Sequence, residues 1–275
     1  MSEKGDNSAY ENGFGSKHII NSRLTTKGQW QLKTTGEWLK RAGLLRYAFD
    51  YYGVSETARA MESAACLNID NAMWDTLTYL REQDTGELEG LNVDQRRQLI
   101  SEYSESERAS DFMFRFRGGE SVCDIVENRV DRFLKEIKAI GYGRVLAVCH
   151  GKLMEAFRHR LLNETIGQWD RYAKVKNENR MILNGMLHAY SRVDPRNDSE
   201  ISDDFSWFKA ICPNSPNHLA NTHTVFGHID GWIQIEKPKY GNKELLSLAS
   251  ESKRLVDDPS FNQPFAPEEV MNFHR

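Results

Sequence analysis

The chain has 275 residues and a mass of 31.7 kDa, enough for a large α/β domain with its own hydrophobic core. A formal net charge of −4, over 39% hydrophobic and 28% charged residues, excludes a general nucleic-acid or anionic-membrane footprint, so any bound anion must be held by a local constellation. No apolar run approaches the roughly 20 residues of a membrane helix, the N-terminus is polar, and Cys66, Cys123, Cys149 and Cys212 fit no zinc or redox spacing, which points to buried structural thiols in a reduced, cytoplasmic setting.

Residues 1–23 are rich in Gly, Asn and Ser and read as loop. A helix is predicted from Leu24-Thr-Thr-Lys-Gly28, with Thr25 or Thr26 as N-cap, Trp30, Leu32, Trp38 and Leu39 as apolar positions, and Gly43 beyond its end. Ala48 to Ser55 reads as a strand and Glu56 to Leu67 as a helix through Ala58, Met61, Ala65 and Cys66. From Val122 to Ile140 the apolar stripe Val122, Ile125, Val126, Val130, Phe133, Leu134 and Ile137 marks the strongest helix, stopped by Gly141-Tyr-Gly143. The run Arg144-Val-Leu-Ala-Val-Cys149 is expected to be a buried parallel strand. His150-Gly151 is the turn, Lys152 to Leu162 a helix, and Met186 to Ser191 a further strand. Residues 194–230 read as loop-rich, and the tail beyond Val256 shows little periodicity. Alternating helices and strands imply a layered α/β fold: a single domain over 1–255, its core at about 20–195, a loop-rich elaboration at 195–255, and a tail at 256–275.

Four pieces of this chain carry chemistry. His150 closes an apolar strand and precedes a helix, where anions meet unpaired amides and a partial positive charge; a structural histidine fits equally well. Gly118-Gly119-Glu120-Ser121 opens the strongest helix, and Glu120 reads as part of its capping. Leu80-Arg81-Glu82, followed by Gly86 and Gly90, puts a carboxylate on a glycine-flanked loop, where it serves as a proton donor or is simply solvated. Arg59, just after a strand, suits bidentate phosphate recognition or a plain surface position.

Taken in order, Leu24-Thr-x-x-Gly28, Ser55-x-x-x-Arg59-x-x-x-x-Ala64, Arg81-Glu82-x-x-x-Gly86-x-x-x-Gly90, Gly118-Gly-Glu-Ser121 and Val-x-His150-Gly resemble the histidine phosphatase (phosphoglycerate-mutase-like) superfamily. Arg129, Phe133-Leu134 and Asn184-Gly185 extend the likeness, which spans about residues 20–192. The resemblance implies a three-layer sandwich whose mostly parallel central sheet is flanked by helices. It also implies phosphomonoester hydrolysis through a phosphohistidine, on a small phosphorylated substrate and without metal or cofactor. In that family a histidine of an Arg-His-Gly motif at the end of the first strand attacks phosphorus. By position His150 looks like the second histidine, Arg59 like a phosphate-holding arginine beside Gly151, and Glu82 like the acid.

The chain departs from that pattern in one respect: no Arg-His-Gly occurs in it, and no apolar strand precedes Leu24. Met1-Ser2-Glu3 reads as the continuation of the motif, as though the chain starts at an internal methionine, and the first strand is expected to be missing. Its absence would expose sheet edges and part of the core, and His18 has no strand-end surroundings with which to substitute. The expectation is thus a hydrolase impaired for want of its nucleophile. The alternatives are a phosphate-ligand-binding or protein-interaction module on the same fold and a mutase-type phosphotransferase. His218, His223 and His228, five apart, read as a polar loop rather than a metal site. The segment 194–230, with Trp207, Phe208 and Trp232 nearby, is a candidate cover for the pocket.

Overall fold

The computed structural model describes residues 22–104, 110–141, 143–169, 182–195, 197–214, 231–237 and 239–250. His18, the three histidines at 218, 223 and 228 and the tail from 256 lie outside the described residues. The chain opens with α1 (Thr26–Arg41), followed by β1 (Tyr51–Ser55), α2 (Ala58–Cys66) and β2 (Trp74–Leu77). Two short 3₁₀ turns, Thr78–Leu80 and Gly86–Leu88, lead to α3 (Val93–Glu102). Next, α4 (Val122–Ile125), a π-helical turn (Val126–Val130) and α5 (Asp131–Ile140) run on from one another. β3 (Val145–Val148), α6 (Gly151–Leu161), β4 (Leu187–Ser191), β5 (Val193–Asp194), β6 (Asn197–Ile201), β7 (Trp207–Ile211), β8 (Ile233–Gln234) and α7 (Asn242–Ser250) complete the described order. No described helix is long and apolar enough to cross a membrane.

The central sheet has the order β2-β1-β3, all parallel, with Val54 opposite both Thr76 and Val148. A second sheet, β4-β7-β8, is antiparallel. Alternation along β3 feeds two layers. Leu146 and Val148 pack with Leu32, Leu39 and Leu67 of α1 and the end of α2, whereas Val145 and Ala147 join the larger core on the other face. That larger core contains Ile125, Val130, Phe133, Leu153, Ala156 and Phe157 from the helices and Phe208 and Ala210 from β7. The second sheet divides in the same way, with Leu187 in the α1 layer and Tyr190 in the other. Both sheets thus lie between the same two helical layers, as the three-layer expectation requires.

Two readings of the sequence are corrected. Residues 197–211, read as loop, contain β6 and β7, and Trp207, Phe208 and Ala210 of β7 are core residues. A strand there was hidden by the polar run Asp203-Asp204 and the prolines that follow. The strand after Arg144, expected to be buried, is half-buried at every position of β3. The physical reason is an edge: among the described residues β3 pairs only with β1, and β4 only with β7.

α1 begins where expected, with Thr25 as N-cap accepting from the Gly28 amide at 3.1 Å. It crosses the end of α2 so closely that a Cβ on Gly36 would stand 2.1 Å from the Leu67 carbonyl oxygen. Gly36→Ala will therefore destabilise the fold: the helix-propensity gain of about 1 kcal/mol is outweighed by overpacking of up to about 3 kcal/mol against backbone that cannot rotate away. A net loss of about 2 kcal/mol lowers Tm by roughly 4–8 °C, and calorimetry that finds a rise instead would show that the helices separate freely.

Candidate functional site

Three parallel strands deliver their carboxyl ends to one edge of the sheet, the side on which ligands gather in open α/β folds. β1 ends at Ser55 and turns through Thr57 into α2, which carries Arg59 in its first turn. β3, in register with β1, ends one residue before Cys149 and His150, and His150 is the N-cap position of α6. β2 runs through its 3₁₀ turn to Arg81 and Glu82.

His150 is buried, and its Nε2 lies 2.9 Å from Ser55 Oγ and 3.2 Å from Thr57 Oγ1. A hydroxyl both donates and accepts, so this pair holds the ring in either neutral tautomer. The Thr57 amide donates to Ser55 Oγ at 3.4 Å, tying the two hydroxyls into one unit. Thr57 occupies the N-cap of α2, where a threonine side chain normally accepts from its own helix; here it makes no such bond and faces His150. At α6, too, the N-cap side chain makes no capping bond. A Cβ built on Gly151 would meet nothing within 4 Å, so there is open space over the start of α6.

Arg59 is buried, with 9% of the residue exposed. Burial pulls its pKa down, and the carboxylates of Glu82 and Glu89 pull it back up. Glu82 also acts on Cys149, whose thiol is pushed up to about 12, first by burial and then by this carboxylate. Cys149 is therefore a neutral thiol beside the site, not a nucleophile. The loop that carries Glu82 meets the end of β1 through its neighbour Arg81, whose Nε lies 3.4 Å from Glu56 Oε1. The structure thus brings Arg59, Glu82, His150 and Gly151 to one edge and adds Ser55, Thr57 and Glu89.

The other two described histidines belong to the core. Burial pushes His188 down to about 3 and His159 to about 4, with the positive charge of Arg158 adding to each. Among the described residues no group of three or more His, Cys, Asp or Glu side chains is placed to hold a metal ion.

Glu120 has a different place from the one expected. The cap of α4 is Ser121, which forms a capping box with Asp124. Glu120 instead meets the Arg129 guanidinium with both carboxylate oxygens. The second glycine of the pair ahead of it serves close approach, since a Cβ on Gly119 would stand 2.9 Å from the Asp84 carbonyl oxygen.

Comparison with known proteins gives the family and agrees with the fold. The sequence profile of the histidine phosphatase superfamily (branch 1) matches residues 12–185. A probable fructose-2,6-bisphosphatase of Schizosaccharomyces pombe is 26% identical over 141 residues, 51% of this chain. That match spans only 30% of the relative's own length. Among solved structures, YhfR of Bacillus stearothermophilus superimposes with a TM-score of 0.52 at 19% identity, covering 69% of this chain and 89% of that one. The α-ribazole phosphatase of Shigella flexneri does so with a TM-score of 0.50 at 20% identity, covering 69% and 86%.

Proposed function

This chain belongs to the histidine phosphatase superfamily, and we propose that its strand-end site serves hydrolysis of a small phosphomonoester through a phosphohistidine. The observation that carries the proposal is the group at the carboxyl ends of β1 and β3: a histidine held by two hydroxyls, a buried guanidinium and an acid on the adjoining loop. Arg59 and His150 hold the phosphoryl oxygens, and the first amides of α6 face the same charge. A nucleophilic histidine nitrogen forms a bond to phosphorus while the ester P–O bond breaks. Glu82 gives its proton to the departing oxygen, then takes one from the water that cleaves the phosphohistidine and releases inorganic phosphate. The relative from Schizosaccharomyces pombe is a probable fructose-2,6-bisphosphatase, which supports a small phosphate ester as the ligand.

Among the described residues only His150 stands at this edge, and it fills the second-histidine position. In this proposal the nucleophile comes from a strand seated between β3 and β4, which pack into the same two layers. The same observation favours a second reading: with no nucleophile supplied, the site binds a phosphorylated ligand without cleaving it. Assays on p-nitrophenyl phosphate and a panel of sugar phosphates, with orthovanadate as inhibitor, separate the two. Vanadate-sensitive hydrolysis supports the first, and vanadate binding without hydrolysis supports the second. Neither binding nor hydrolysis would sink both.

A further inference from the structure

We infer that Glu120 and Arg129 are positioning residues for Glu82, a latch that fixes the loop on which the acid stands; the inference rests on the phosphatase reading for what that acid does. Glu82 sits between a 3₁₀ turn and a glycine-hinged loop, with no regular hydrogen-bond ladder of its own. Its conformation depends on contacts from outside the loop; Arg81 pairs with Glu56 at 3.4 Å, and Glu120 and Arg129 supply a further set along residues 81–84.

Arg129 NH1 donates to two successive carbonyls of the loop, Arg81 O at 2.9 Å and Glu82 O at 3.2 Å. Its remaining nitrogens pair with both oxygens of Glu120, Nε at 3.0 Å from Oε1 and NH2 with Oε2. Glu120 extends the grip along the chain. Its Oε2 accepts from the Asp84 amide at 2.9 Å, its carbonyl from Gln83 Nε2 at 2.6 Å, and its own amide donates to Asp84 O at 2.9 Å. The side chains of this ion pair thereby hold Arg81, Glu82 and Asp84, and the Glu120 backbone holds Gln83 and Asp84.

Two further features fit a device built for placement. Arg129 stands on the π-helical turn, whose widened register re-aims a side chain from an otherwise α-helical run. The loop also meets its anchor backbone to backbone: Gly86 takes φ +53°, and a Cβ there would lie 2.2 Å from the Arg117 carbonyl oxygen. A guanidinium is needed, because a lysine has no planar fork to span a carboxylate and two carbonyls together.

The test compares the unaltered protein with Glu120→Gln and Arg129→Lys. Amide hydrogen exchange at residues 81–86 is expected to quicken by about tenfold or more, while amides of β1, β3 and α6 keep their rates. A variant that merely weakens the fold would speed all of them alike. Turnover supplies the second readout. Ethyl phosphate needs a proton on its departing oxygen and p-nitrophenyl phosphate does not, so the loss should be at least about tenfold larger for the ethyl ester. Unchanged loop exchange overturns the inference, and so does a faster loop with both esters slowed equally. If the unaltered protein hydrolyses neither ester, no nucleophile is supplied in this chain and turnover gives way to structure. The latch is then decided by loop exchange and by a crystal structure of Arg129→Lys. A displaced Glu82 carboxyl supports it, and an undisplaced one overturns it.

Discussion

On the proposed function, a form of this chain extended by an apolar strand ending in Arg-His-Gly will hydrolyse p-nitrophenyl phosphate on the order of a thousandfold faster than the unextended chain. The sheet sets the expectation. β3 and β4 each have a neighbour on one side only among the described residues, yet share both helical layers. A strand seated there, parallel to β3, would lie about 4.8 Å from it and would end beside His150 and Ser55. It would supply the covalent step that positioning and charge cannot replace. It would also bury the half-exposed faces of β3 and β4, so the extended chain should melt at a higher temperature. The control is the same extension with its histidine changed to alanine, which keeps the thermal gain and loses the turnover. A folded extended chain no faster than the original would mean that this edge is not where phosphorus is attacked.

What the sequence revealed depended on whether a signal was local. The α1 cap, the stripe from Val122 to Ile137 and the run ending at His150 are legible because a period and a stop signal lie within one segment. β2 was missed because Trp74-Asp75-Thr76-Leu77 is short and mixed, and only its parallel pairing with β1 makes it a strand. α3 was missed although Asn92 and Gln95 form a full capping box, because no residue of that helix is buried and no stripe follows the cap. At the site, His150, Arg59 and Glu82 stood out as chemical types at strand ends. Ser55 and Thr57 did not: a hydroxyl says nothing until the register of β1 against β3 sets it beside an imidazole. Glu120 was misread for a similar reason. An acid after a glycine pair looks like a first-turn carboxylate, but the N-cap is Ser121, the helix starts at Val122, and the π turn brings Arg129 back to Glu120.

Arg59→Ala will weaken the binding of inorganic phosphate and orthovanadate by about a hundredfold or more, with the fold retained. Two charge-assisted hydrogen bonds from a guanidinium to an anion contribute roughly 3 kcal/mol in total, and 1.4 kcal/mol corresponds to a tenfold change in Kd. Arg59 offsets the charges of Glu82 and Glu89. Its removal takes away an attraction and also leaves two carboxylates facing an incoming anion, so the loss exceeds that of an exposed arginine. Arg59→Lys keeps the charge but not the planar fork and should recover only part of the affinity. Calorimetric titration with phosphate, read beside circular dichroism of each protein, decides the matter. An alanine variant that binds as tightly as the parent would remove Arg59 from the site and leave His150 and the α6 amides as the anion's only support.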